Sequence, residues 1–240
     1  MAGATATTYV LGSADVGSTT RVVVTATNSA GSGVATSGPT TVVGSTQSGL
    51  VALWHMDEAS GSVMRDSIGS HDGALHSVTL GQPGLLGTAF GFNGTSSYVS
   101  VPSASGLNPG SSNLTVTIHL KTTSAPATPD WDLIRKGKYT TTGGEFKMEY
   151  QPSGQASCGF KGSSSYSELI TGPALNDGKW HTVQCVKTSS AIKLIVDGQT
   201  FSKSATVGAI ANTDPVLIGA HSSGSEVFNG SLDEASIQIG

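Results

Sequence analysis

Charge is what this chain has least of. Lys, Arg, Asp and Glu make up 12% of its 240 residues, about half of the roughly 25% usual in a soluble domain. The twelve Lys and Arg are scattered without a basic stripe, which excludes a nucleic-acid footprint. A net charge of −4 is too small to keep the chain disordered, because Val, Ile and Leu still alternate through most of it. No apolar run approaches the ~18 residues of a membrane-spanning helix. No segment holds a helical period over three turns, so the chain reads as all-β. Met1-Ala2-Gly3-Ala4-Thr5 lacks the basic head and apolar stretch of a signal peptide. Export is then encoded upstream, or these residues are a piece of a longer chain; the second reading is favoured.

Cysteine is nearly absent too. Cys158 and Cys185 cannot make a metal ribbon or a redox motif. Both fall in segments that read as neighbouring strands, and the favoured reading is a disulfide, the alternative being two buried thiols. Paired, they close a loop of about 26 residues, worth roughly 3 kcal/mol of chain entropy. The six histidines do not cluster, and without a His-Glu-x-x-His run a catalytic zinc site has no support. His55 and His181 each neighbour a Trp on a strand, where a structural role fits better than ligation.

Thirty-two glycines and long Ser/Thr runs take the place of charge. Such a surface suits a secreted or cell-surface protein that meets neutral polymers. The clearest signal is Asp177-Gly178-Lys179-Trp180-His181, opening an alternating strand through Val186, followed by Leu194-Ile195-Val196-Asp197-Gly198. That is a turn, a strand, a second strand and a tight Asp-Gly hairpin turn. Leu114, Val116, Ile118 and Leu120 alternate with Thr115, Thr117, His119 and Lys121, which predicts one half-buried strand. Similar runs open at Leu50 and recur near Phe90, Tyr98, Leu133, Phe146, Cys158, Val216 and Leu232. About a dozen strands with short turns predict an antiparallel two-sheet β-sandwich. Residues 57–73 read as a polar stretch.

Residues 1–46 read differently. Tyr9-Val10-Leu11, residues 21–31 and Thr40-Thr41-Val42-Val43 predict three short strands. Ala14-Asp15-Val16-Gly17 with Val24-Thr25-Ala26-Thr27-Asn28-Ser29-Ala30-Gly31 resembles the C-terminal half of a bacterial immunoglobulin-like or fibronectin-type-III-like module. About 45 residues are too few for a self-sufficient sandwich. This piece is expected to dock on the main domain, pair with another chain or stay poorly ordered. Residues 44–49 are the expected linker, and residues 47–240 the main domain.

That domain carries an ordered set of short motifs. They are Leu53-Trp54-His55-Met56-Asp57-Glu58, Asp66-Ser67-Ile68-Gly69 and Phe92-Asn93-Gly94 through Tyr98-Val99-Ser100-Val101-Pro102. Asp177-Gly178-Lys179-Trp180-His181, Val196-Asp197-Gly198, Ile218-Gly219 and Phe228-Asn229-Gly230-Ser231-Leu232-Asp233-Glu234 follow. The set resembles the laminin-G-like jelly roll of the concanavalin-A-like lectin/glucanase superfamily. The resemblance implies two packed antiparallel sheets, often a calcium ion near one rim, and usually a non-catalytic module that binds glycans or proteins on a larger secreted polypeptide. Where many relatives have Phe-Asp-Gly and then Asp-Tyr-Val, this chain has Asn93 and Ser97, which removes two carboxylates.

Calcium takes six to eight oxygen ligands, and the resemblance brings Asp233 beside the first polar loop. Asp66 and Asp233 are the expected ligands, with Asp72 a further candidate; the alternative is that Asp66 and Asp72 only organise turns. Trp54 and Trp180 sit among apolar strand residues and read as core. Trp131 follows a Pro-rich loop, so its ring is expected to be exposed as a sugar platform, with Asp130, Arg135 and Tyr139 binding hydroxyls. Tyr166 and His221 are further loop candidates. Glu145 and Glu149 could share one strand face, but their flanks do not resemble a glycosidase strand, and Asp233 and Glu234 are adjacent and point apart. Three Asn-x-Ser/Thr triplets, at Asn93, Asn113 and Asn229, read as turn chemistry. The expectation is a non-catalytic carbohydrate-binding module of a secreted bacterial multidomain protein, its partners a polysaccharide and covalently linked neighbouring domains. The alternatives are an adhesion or spacer module and a glycan-active enzyme.

Overall fold

The computed structural model describes residues 19–40, 49–127 and 129–240. The chain divides into two units, Met1–Ser48 and Gly49–Gly240. In the first, Val23–Asn28 (β1) and Gly31–Thr36 (β2) form an antiparallel hairpin. Asn28 Oδ1 accepts the Ala30 N–H at 2.9 Å and Gly31 takes φ 138°, which closes the turn. β1 falls in a segment that the sequence marks as strand. β2 does not stand out, because Gly31, Gly33 and Ala35 dilute its pattern. The predicted strand at residues 9–11 lies outside the described residues, as do residues 41–43.

The second unit is a sandwich of two eight-stranded antiparallel sheets. The first runs Tyr166–Ile170 (β13), Ala156–Lys161 (β12), Glu145–Tyr150 (β11), Trp131–Lys136 (β10), Val216–Ile218 (β17), Tyr98–Val101 (β8), Gly73–His76 (β5) and Val63–Met64 (β4). The second runs Gln199–Ser204 (β16), Ala191–Val196 (β15), Trp180–Lys187 (β14), Leu114–Lys121 (β9), Asn229–Ile239 (β18), Thr88–Asn93 (β7) and Thr79–Pro83 (β6). Leu50–Trp54 (β3) also pairs with β18. One 3-10 turn, Ser105–Leu107, is the sole helical element among the described residues. Among the described residues no helix is long and apolar enough to cross a membrane.

Period-two alternation builds the core. Along β9 the burial alternates at every residue, with Leu114, Val116, Ile118 and Leu120 inward. They meet Phe146, Met148, Tyr150 and Phe160 of the opposite sheet in one cluster with Trp54 and Phe90. The Trp54 Nε1–H donates to the His71 carbonyl at 2.8 Å, so its indole is buried and satisfied. Cys158 on β12 and Cys185 on β14 form a disulfide between the two sheets, with Cα atoms 5.4 Å apart.

β18 serves three neighbours because it is bulged. It pairs with β9 along its length except between Asp233 and Ser236, where Glu234 takes φ 48°. Before the bulge its other edge pairs with β7, and after it with β3. The bulge buries Asp233 and sends Glu234 to His55 Nδ1 at 2.8 Å. Two lysines are also buried. Lys136 Nζ donates among Ser103 Oγ, the Asn212 carbonyl and Oδ1, and the Asp214 carbonyl, at 2.7 to 3.2 Å. Lys187 Nζ donates to the Ser112 carbonyl. Burial lowers both ammonium pKa values.

The strands β4, β5, β6 and β13 have no clear signature in the sequence. They lie at or beside sheet edges, are two to five residues long, and are rich in Gly, Ser and Thr or interrupted by Pro. The inter-sheet disulfide invites a direct test. In urea unfolding, the Cys158→Ala/Cys185→Ala double variant is expected to lose roughly 3 kcal/mol; an unchanged midpoint contradicts that clamp.

Candidate functional site

The expected ion ligands are engaged in two different places, Asp66 and Asp72 with each other's loop and Asp233 with residues 85–86, and backbone groups already occupy most of them. Asp66 Oδ1 accepts the N–H groups of Leu53 and Ile68, and Oδ2 accepts those of His71 and its Nδ1, at 3.0 to 3.2 Å. Burial alone raises its pKa, but the N–H bonds from Leu53, His71 and Ile68 outweigh it and hold the carboxyl below its ordinary range. Asp72 accepts the Asp66 N–H on Oδ1 and pairs with Arg65 through Oδ2. Asp233 Oδ2 accepts the N–H groups of Leu85 and Leu86, and its buried Oδ1 has no partner. Asn93 organises its turn in the same way, Oδ1 accepting from Thr95, Ser96 and Ser97. Positive N–H dipoles on Asp66, and a guanidinium on Asp72, repel a cation, and Asp233 offers one free oxygen where calcium takes six to eight. Asp66, Asp72 and Asp233 by themselves therefore do not make up a calcium ligand set.

The other candidates converge on β10 to β13. On the outer face of that half-sheet, Arg135 Nη1 donates to both Asp132 oxygens at 3.0 and 3.2 Å, and Nη2 donates to Glu145 Oε2 at 2.8 Å. Beside it Lys147 Nζ reaches Glu149 at 2.6 Å and Glu168 at 3.6 Å. Gly159 makes room, because a Cβ there would meet the Lys147 stem. Asp132, Arg135, Glu145 and Glu149 are all buried. Burial pushes Asp132 up, against Arg135 and with help from Glu149 and Glu226. Glu149 is pushed up to about 7 by burial, against Lys147 and with help from Asp130 and Glu168. His221 is lowered by burial and by facing Arg135. Arg135 and His221 therefore belong to an internal ionic layer.

Two clefts flank this layer. The first, about 380 Å³, is lined by Asp130, Trp131, Glu226, Pro126, Pro129 and Thr95 among others. Trp131 is not a loop residue: it opens β10 opposite Tyr150. Its ring stacks on Tyr150 at 6.0 Å and meets the Phe228 edge at 5.8 Å, so it is half-buried against the core while still lining the cleft. Asp130 Oδ2 accepts from Gln151, and carboxyl oxygens of Asp130, Glu149 and Glu226 lie within 4.8 Å of one another.

The second cleft, about 540 Å³, opens at the other end of the same strands. Thr140, Thr141, Thr142, Ser163, Lys161, Gly143 and Gly144 are among its lining residues, with the Thr141 hydroxyl spent on Asp214 and the Ser163 hydroxyl accepting the Ala209 N–H. Both glycines have positive φ, and a Cβ on either would collide with a carbonyl, of Ala211 or Lys161. Asn212 fixes the wall, its Nδ2 donating to the Gly144 carbonyl at 2.8 Å and its Oδ1 accepting from Lys136. Beside this cleft stand Tyr139, 59% exposed, and Tyr166, 36% exposed, with rings 5.4 Å apart and 80° between planes. Lys161 Nζ lies 4.1 Å above the Tyr139 ring and donates to the Tyr139 carbonyl. The structure thus pairs Tyr139 with Tyr166, places Asp130 with Trp131 at the opposite end, and buries Arg135 between. Lys161 and Asn212 escape a sequence reading; the run Thr140-Thr141-Thr142-Gly143-Gly144 is the signal that could have marked their loop.

Asp66 makes a pH prediction. Its folded pKa lies below its unfolded one, so its contribution is complete above pH ~4 and disappears as pH falls through the folded value. Asp66→Asn is expected to flatten the acid limb of the stability profile. An unaltered limb contradicts this role.

No curated protein matches the chain by sequence. Among solved structures, the binding domain of Paraclostridial Mosquitocidal Protein 1 aligns with TM-score 0.64 and 13% identity over 79% of this chain and 48% of that one. Domain 4 of AbnA, a GH43 extracellular arabinanase from Geobacillus stearothermophilus solved in complex with arabinotriose, aligns with TM-score 0.61 and 19% identity. There the match covers 81% of this chain and 94% of that domain. Trypanosoma rangeli sialidase, solved in complex with sialic acid, aligns with TM-score 0.60 and 17% identity over 79% of this chain and 30% of that one. The chain spans about half the length of the first of these structures. At these identities the likeness is one of fold. The laminin G family of the concanavalin A-like lectin/glucanases superfamily matches residues 93–238, more than half of the sequence, and this chain belongs to it.

Proposed function

We propose that this chain is a non-catalytic carbohydrate-binding module of a secreted bacterial multidomain protein, and that sugar sits in the cleft beside Tyr139 and Tyr166. The observation that carries the reading is an exposed, perpendicular tyrosine pair beside a cleft lined by Thr, Ser and Gly residues. Sugar rings offer apolar C–H faces to aromatic rings and hydroxyls to polar side chains, and this cleft supplies both partners. The arabinanase domain solved with arabinotriose, matched over nearly its whole length, supports a sugar as the ligand class.

The carboxylates beside the tyrosine cleft favour binding without catalysis there. A retaining glycosidase places two carboxyls ~5 Å apart across the scissile bond. Glu145 and Glu149 do share the outer face of β11, but they are buried and held by Arg135 and Lys147. No carboxylate lines the second cleft. The disulfide supports an oxidising, extracellular setting. Residues 1–46, as the end of an immunoglobulin-like or fibronectin-type-III-like module, would link this module to covalently attached neighbours.

Retention on insoluble polysaccharides, with reducing ends assayed in parallel, tests the reading. Tyr139→Ala/Tyr166→Ala is expected to weaken retention at least tenfold, ~1.4 kcal/mol, with no sugar released by either protein. Retention equal to the parent's rules this cleft out as the sugar site. The melting temperature is expected to be the same with and without EDTA; a clear fall on chelation would restore the rim ion.

A further inference from the structure

Resting on that reading, we propose that the cleft selects glycans bearing negative charge, a uronate or sulfated sugar, and that Lys161 is its specificity-determining residue. Lys161 is the one charged side chain lining the cleft. Its ammonium has three donors, and the described residues occupy it with the Tyr139 carbonyl and ring alone. It is thus held beside the aromatic pair with capacity left for an anionic oxygen.

The described carboxylates are near neighbours of Lys161, yet none forms an ion pair with it. They are held by other groups: Glu145, opposite Lys161 in the β11–β12 ladder, pairs with Arg135, Glu168 lies by Lys147 and bonds Tyr166, and Asp214 Oδ2 accepts the Thr141 hydroxyl at 2.7 Å. The first cleft has the opposite character, with Asp130 and Glu226 in its lining and Glu149 close by. An anionic sugar is repelled there and attracted at Lys161, so charge also decides which end of the half-sheet is used. A net charge of −4 makes general attraction of polyanions by the whole molecule unfavourable, which leaves the preference to a local cation.

Matched polymers that differ only in charge test this: de-esterified against methyl-esterified pectin, and dextran sulfate against dextran. Binding would be measured at about 50 and about 500 mM salt for the parent, Lys161→Gln, Lys161→Arg and, as a control on the other sheet, Lys193→Gln. The expected result is at least tenfold preference for the charged member of one pair, weakened by salt, lost in Lys161→Gln, and kept in Lys161→Arg and Lys193→Gln. Which pair shows it separates carboxylate from sulfate recognition. Equal binding of both members, a preference surviving Lys161→Gln, or an equal loss in Lys193→Gln overturns the inference while leaving glycan binding intact. No retention of any polysaccharide, charged or neutral, overturns the underlying reading itself.

Discussion

Arg135, gripped between Asp132 and Glu145, is the contact on which the arrangement of this molecule turns. An uncompensated charge on a covered sheet face costs several kcal/mol, so once one member of such a group is present the others must follow. Here the guanidinium sits between two carboxylates, and its Nε–H is spent on the Gly137 carbonyl at the start of the β10–β11 loop. Lys147 repeats the solution one strand pair along. The outer face of β10 and β11, where an enzyme on such a scaffold could place its acid and base, is filled by its own counter-ions. The two clefts lie instead at the ends of these strands.

The same economy governs the rims. Among the described residues eight charged side chains are buried, Asp66, Lys136, Lys187 and Asp233 included, although the chain has few charges to begin with. Each rim carboxylate collects backbone N–H groups, and each buried ammonium collects carbonyls. Loops rich in Gly and Ser have little side chain to pack, and these polar hubs give them fixed positions. Lys136 and Asn212 do this for the wall of the second cleft, and through Asn212 the hub reaches the Gly144 carbonyl. At that cleft the charged side chains are Lys161 in the lining and exposed Lys138 next to Tyr139.

Much of the sandwich is legible in the sequence because alternation is a direct imprint of burial. β9, β14 and β15 are central strands with one wet face, and their apolar residues fall on every second position. Cys158 and Cys185 could be paired because each sits at an inward position of such a strand. β4, β5 and β13 left little imprint, since an edge strand has fewer core contacts to specify its side chains. Trp131 misleads for a definite reason. Pro126 and Pro129 mark a loop correctly, but the strand starts directly after it, and pairing with Tyr150 turns the indole to the core. Glu145 and Glu149 are legible as neighbours on one face, while their neutralisation by Arg135 and Lys147 depends on pairings that only the fold creates. Tyr139 and Tyr166 lie far apart in sequence, and it is the β11–β12–β13 meander that brings their rings together.

The account stands on where a sugar touches the molecule. Amide chemical-shift mapping of the ¹⁵N-labelled chain during titration with a retained oligosaccharide reads that location directly. Shifts confined to residues 138–144 and 161–166, with residues 208–212 following, are the predicted result. Shifts centred on residues 125–131 and 224–227, or spread over the outer face of the other sheet, would contradict it.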